Sequence, residues 1–253
     1  MPAAMPMTAT RVDSLQRPHP DPLPRGEGDE SPLPPGRGLG EGTLARLLTW
    51  LSPAFPIGAF AYSHGLEWAV EGGDVQDETT LLDWIGDLLR HGSGRTDLII
   101  LRHAYRADDP GMLRTLADLA QAAQPSRERR DETVGQGNAF ALAGEVWGGI
   151  GIEGPLALPV AFGALARRNE VGEDTAAHGF LHAFSANLVS AAVRLVPLGQ
   201  TAGLRTLAAL EPIVSAVSLE TSAATLDDIG SACFRADIAA MRHETQYTRL
   251  FRS

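Results

Sequence analysis

Lysine is absent: the 253-residue chain has 21 basic residues and every one is arginine. A Walker-type phosphate loop needs its lysine on the phosphates, and Schiff-base and kinase-type chemistry need one as well, so none of these is intrinsic to the chain. Nucleotide chemistry, if the protein takes part in it, comes from a partner. Cysteine is nearly absent too. Cys233 alone excludes an intramolecular disulfide and a thiolate zinc cluster within one chain. Its place in the apolar-patterned run "IGSACFRADIAAM" reads as a buried, inert thiol. Positive charge is outweighed: the net charge is −10 and the pI is near 5.1. Nucleic-acid binding needs a basic footprint, and so does docking to an anionic membrane surface, so the balance argues against both. No window holds 18 or more uninterrupted apolar residues, which speaks against a transmembrane helix. The N-terminus lacks the basic–apolar–small pattern of a secretory signal. Strand signals are poor, with no Asn-Gly hairpin and no sustained period-two alternation.

What is present is helical texture behind an unlike leader. Residues 1–42 include "RPHPDPLPRGEGDESPLPPGRGLGEG", which is too rich in Pro, Gly and charge to offset its ordering entropy and reads as a disordered leader. From residue 43 onward, "TLARLLTWL" sets Leu44, Leu47, Leu48 and Leu51 at helical spacing. Pro53 and Pro56 break that helix. A new one is expected over residues 58–71, ending at Gly72-Gly73. "DETTLLDWIGDLLRHG" has acidic start and basic stop signals. Further helices are expected in the segments that follow, through "TLDDIGSACFRADIAAMRHETQYTR". The expected fold is all-α: one domain of about ten packed helices over residues 43–253, behind the Pro/Gly-rich leader. Several helices carry Ala and Gly on their buried-looking faces. This allows close helix approach but leaves less apolar area to bury, and it suggests dimerisation or docking to a larger partner.

Three constellations could carry chemistry. In "LSPAFPIGAFAYSHGLEWAV", His64 and Glu67 lie three apart on the expected helix, beside Tyr62 and Trp68. They could ligate a metal, pair as acid and base, or form an interface patch. Ser63 beside His64 does not make a nucleophile–base pair, since adjacent helical residues point about 100° apart. His178 and His182 in "HGFLHAF" lie four apart on one face, the best intrachain metal spacing of the chain. Histidines packed beside Phe180 and Phe184 explain the same pair without a metal. The glycine-rich "GQGN" and "GGIGIEG" lack dinucleotide-binding spacing.

The C-terminus, "ADIAAMRHETQYTRLFRS", keeps Tyr247, Leu250 and Phe251 among arginines. Chain ends are usually polar and loose, whereas this mixture is enriched at interface hot spots.

Together, "LSPAFPIGAFAYSHGLEWAV" and "FRADIAAMRHETQYTRLFRS" resemble the UreF family of urease accessory proteins. The resemblance continues through "PVAFGALARR" and "LHAFSANLVSAAVRLVPLGQT". Ala61 is one departure, standing where family members often have Ser. The resemblance implies an all-helical, homodimeric, cytoplasmic chaperone for nickel delivery to urease. It implies no catalysis, no tightly bound cofactor, and nickel handled only transiently by the complex. The implied partners are the urease-binding protein UreD (also UreH), the GTPase UreG and, through the complex, apo-urease. It also implies a patch of Tyr62, Ser63, His64 and Glu67, entered past Phe55 and Pro56. The tail, about residues 241–253, would form part of the UreD-binding surface and order on docking. Its candidate residues are Arg242, His243, Glu244, Gln246, Tyr247, Arg249, Leu250, Phe251 and Arg252. On this reading, truncation after Ala240 leaves the fold intact. Two alternatives stand beside it: a GTPase-activating regulator acting through an arginine, and a metal-assisted hydrolase using His178 and His182, with His64 as a further candidate ligand.

Overall fold

Short polar side chains set the starts of several helices. Asp77 accepts from the Thr80 backbone at 2.8 Å and opens a helix at Glu78–His91. Asp109 does the same for Pro110–Ala122, with proline in its first turn, and Ser126 for Arg127–Gly144. The computed structural model describes residues 40–253. Of the expected leader, residues 1–39 lie outside the described residues, while Glu41 and Gly42 already belong to the first helix. Ten α-helices occur among the described residues, and no strand does. They are α1 (Glu41–Trp50), α2 (Leu66–Glu71), α3 (Glu78–His91), α4 (Ser93–Arg106), α5 (Pro110–Ala122), α6 (Arg127–Gly144), α7 (Leu158–Arg168), α8 (Glu173–Leu195), α9 (Gly199–Glu220) and α10 (Phe234–His243).

The helix α4 runs through the middle. Leu98, Ile99, Ile100 and Leu101 are all buried in succession, so no single apolar stripe exists and the helix is covered on nearly every side. Its neighbours are α3, α5, α7 and α8. The α4–α7 approach depends on small residues: a Cβ at Gly163 would overlap the Leu101 carbonyl oxygen. An aromatic cluster closes one end. Trp50 meets Phe140 and Phe162 edge-on at 6.2 Å, and Phe55 lies 5.4 Å from Phe140. Arg102 is fully buried, yet satisfied on both Nη atoms. It donates to Glu173 at 2.6 Å, Asp174 at 2.9 Å and the Ser218 carbonyl at 2.7 Å, tying α4 to α8 and α9.

Three expectations need correction. The helix expected over 58–71 is a single tight turn at Ala59–Ala61, an extended Tyr62 and then the six-residue α2. His64 (φ 58°) and Gly65 (φ 76°) are left-handed, so the chain reverses where continuous helix was expected. In α1 the buried side is Leu47 and Trp50, while Leu44 and Leu48 face outward. Cys233 is half-buried at the N-terminus of α10 rather than inside a helix, with burial pushing its thiol pKa up.

The segment Gly199–Ala223 is long and apolar enough to cross a membrane by composition, with mean hydropathy 1.3. In the fold its Ala202, Thr206, Leu210, Val214 and Val217 side is buried, and it packs against α3 and α8.

Candidate functional site

The two segments singled out by the sequence meet in one place. The reversal at His64–Gly65 starts α2 directly against α10, where a Cβ on Gly65 would stand 2.6 Å from the Ala240 nitrogen. That approach lets the chain beyond α10 fold back across α2. Arg252 N donates to the Ala61 carbonyl at 2.8 Å, and Ser63 N donates to the Ser253 carbonyl at 2.7 Å. The Ser63 hydroxyl donates to the same carbonyl at 2.6 Å. Ser63 is therefore a clasp, and its hydroxyl is not directed at His64.

Glu67 is the centre of the arrangement. It sits in the first turn of α2 and is buried. Its two carboxylate oxygens accept from the backbone of Leu250 at 2.7 Å and of Phe251 at 2.9 Å. His243 joins from α10, with Nε2 at 3.3 Å from Glu67 and Nδ1 at 2.7 Å from Glu128. Glu128 also accepts from Arg249 at 2.6 Å. Glu244 accepts from the backbone of Arg127 at 2.7 Å, capping α6. Gln246 donates to Glu71 at 2.5 Å.

Beneath this lies a second layer that the sequence reading missed. Along α6, Arg129, Glu132, Thr133 and Gln136 are buried at core spacing, a polar stripe where an apolar one is the rule. That spacing is the signal by which the layer could have been found. Arg129 pairs with Glu132, and the Ser253 hydroxyl donates to Glu132 as well. His64 Nδ1 lies 2.9 Å from both Arg129 and Glu132. Burial first, and then the Arg129 charge, hold the His64 pKa below its ordinary value. Burial alone would raise Glu132, but the charges of Arg129 and His64 and their hydrogen bonds hold it at about 2. Asp97 on α4 lacks a partner at Oδ1, and burial leads in pushing it up to about 6.

The candidate residues thus divide. Ser63, His64, Glu67, His243, Gln246 and Phe251 are buried within the chain, and Glu244 is half-buried. Phe55 is core, packed on Phe140 and Trp147. Pro56, Arg242, Tyr247, Arg249, Leu250 and Arg252 face outward, and Tyr62 is half-buried. Tyr247 is 103 % exposed and Leu250 is 74 % exposed. Arg194 on α8 braces the seam, its guanidinium 3.9 Å from the Phe60 ring centre and 4.3 Å from that of Phe251. The tail expected to order on a partner is already ordered on its own chain, because Glu67 and Glu132 take its backbone and hydroxyl donors. His178 and His182 are exposed on α8 and are no part of this site.

The site holds saturated charge pairs rather than a cavity. A surface cleft of about 180 Å³ lies elsewhere, lined by Asp74, Asp83, Trp84, Asp87 and Arg235. It is smaller than the roughly 300 Å³ at which small-molecule sites begin.

The UreF family model matches residues 75–211. The chain is 53 % identical over 221 residues to the urease accessory protein UreF of Rhodopseudomonas palustris strain BisA53, covering 83 % of this chain and 93 % of that one. It is 49 % identical over 239 residues to the protein of that name from strain TIE-1, covering 90 % and 98 %. It is 52 % identical over 221 residues to the one from Bradyrhizobium diazoefficiens, covering 83 % and 91 %. With identity this high over nearly the full length of those relatives, the chain belongs to the UreF family.

Proposed function

We propose that the protein is a urease accessory factor that bridges the urease-binding protein UreD and the GTPase UreG during nickel delivery to apo-urease, working as a homodimeric scaffold without catalysis of its own. The membership and the accessory-protein names of the relatives support the setting. The observation that carries the bridging role is the split of the tail. Its inner side chains form a latch against α2 and α6, while its outer ones, Tyr247 and Leu250, are exposed, as are Phe234, Ile238 and Met241 at helical spacing along α10. Large apolar side chains grouped at the surface and rimmed by arginines make an interface rather than a core.

The test keeps the latch and removes the face. A Tyr247→Ala, Leu250→Ala double variant is expected to unfold at the parental temperature. It should capture UreD about 30-fold more weakly, the loss typical of hot-spot truncation. Parental capture of UreD and UreG by that variant overturns the assignment.

A further inference from the structure

We propose that His178 and His182 form a bidentate clamp for a divalent transition-metal ion on the outer face of α8. The helix spans Glu173–Leu195 without proline, so the two imidazoles stand one turn apart on one side, about 6 Å from each other at the level of Cβ. The competing explanation was packing beside Phe180 and Phe184, and the fold removes it. Phe180 is buried against Phe162 at 5.5 Å, and Phe184 lies against the His64 ring at 4.9 Å. Both phenylalanines thus point inward, while both histidines are exposed. Three other histidines are committed: His64, His103 and His243 each have a ring nitrogen on a partner, and the exposed His91 at the end of α3 has no second histidine within a turn. No such bond ties up His178 or His182 among the described residues. The helix is held firmly at this point, since the space beside Gly179 is filled by Leu51 and Leu47 of the α1 end. Asp174 stands one turn earlier on the same stripe, its side chain 86 % exposed and one carboxylate oxygen taken by Arg102.

Imidazole pairs suit borderline ions such as nickel, copper and zinc. Among the described residues no three His, Cys, Asp or Glu side chains converge to hold a metal. The clamp therefore supplies two ligands and leaves the remaining positions to water or to a second protein. An ion held that way exchanges readily, which suits transfer rather than storage. That the ion is nickel rests on the function proposed above; the clamp itself rests on α8 alone.

The experiment titrates Ni²⁺ alone into the untagged full chain by calorimetry, with circular dichroism confirming the helical fold of each variant. The parent is expected to bind one ion per chain through this pair. His178→Ala and His182→Ala should each weaken binding about tenfold or more, as the second ligand contributes through proximity. Asp174→His combined with His182→Ala rebuilds the spacing one turn earlier and should regain affinity. His182→Ala combined with Ala183→His keeps two histidines but turns one away, and should not. Unchanged affinity in both single variants, or parental affinity in the misplaced pair, overturns the clamp. Capture of UreD and UreG is read separately. Lost capture with intact metal binding counts against the bridging role alone, and lost metal binding with intact capture is what a clamp separate from the latch produces.

Discussion

Burial works against Asp97. Loss of water around its carboxyl is the leading cause of its rise from an ordinary 3.8 to about 6; the Arg129 charge opposes this and Glu132 adds to it. A group raised on folding stabilises fully below its unfolded value, and that contribution is lost as pH rises through the folded one. A shift of about two units corresponds to roughly 3 kcal/mol. Asp97→Asn removes the titration. Its urea stability relative to the parent is therefore expected to climb by about that amount between pH 4 and pH 7. Parallel pH curves for the two proteins would contradict the assignment. His64, depressed on folding, acts in the opposite direction, but both proteins carry it and the difference cancels. Glu132, depressed from 4.5 to about 2, loses its contribution only as pH falls through that lower range. At this scale the sequence marked Ser63, His64 and Glu67 by their company of aromatics. It did not mark Arg129 or Glu132, because a charged run within a helix looks solvated until a neighbouring segment covers it.

Two short helices meet where a glycine stands. Gly65 is left-handed and has the α10 backbone 2.6 Å from where a Cβ would be. Gly65→Ala therefore meets backbone strain and overlap together, and is expected to cost about 3 kcal/mol. The loss should show as a lower denaturation midpoint and faster amide exchange at Leu250 and Phe251. An alanine variant with parental exchange at those amides would mean that α2 and α10 do not depend on this contact. Most helices were legible here: Asp77, Asp109 and Ser126 cap where their spacing indicates, and Pro110 starts its helix. The reversal at His64–Gly65 was not legible. "SHGLEW" carries no proline, and its non-glycine left-handed residue, His64, is held by contacts distant in sequence, with Arg129 and Glu132 on α6 and Phe184 on α8.

Across the whole molecule, the tail joins α2, α6 and α10 into one cooperative unit. Phe251 and Ser253 are buried, and without residues 244–253 Glu67 and Glu132 lose donors inside the protein. Leaving a buried charge without its partner costs about 3–5 kcal/mol. Removing those residues is expected to lower unfolding stability by at least that much, in a single transition seen by urea denaturation. This reverses the expectation that a truncated chain keeps its fold, and it is why the outward pair Tyr247 and Leu250 is the cleaner probe of partner binding. A truncated chain as stable as the parent would show that the latch sits outside the cooperative core.

The sequence by itself determined the helical class, most helix starts, the absence of lysine-based phosphate chemistry and the two segments that matter. These follow from local rules of capping, periodicity and composition, which act within a few residues. Only the tertiary structure decided that the two segments face each other, that Glu67 holds the tail, and that the histidines of α8 stay outside. The reason is that a carboxylate becomes an anchor only when water is excluded around it. That exclusion is produced by residues some 180 positions away along the chain, as in the 183-residue separation between Glu67 and Leu250.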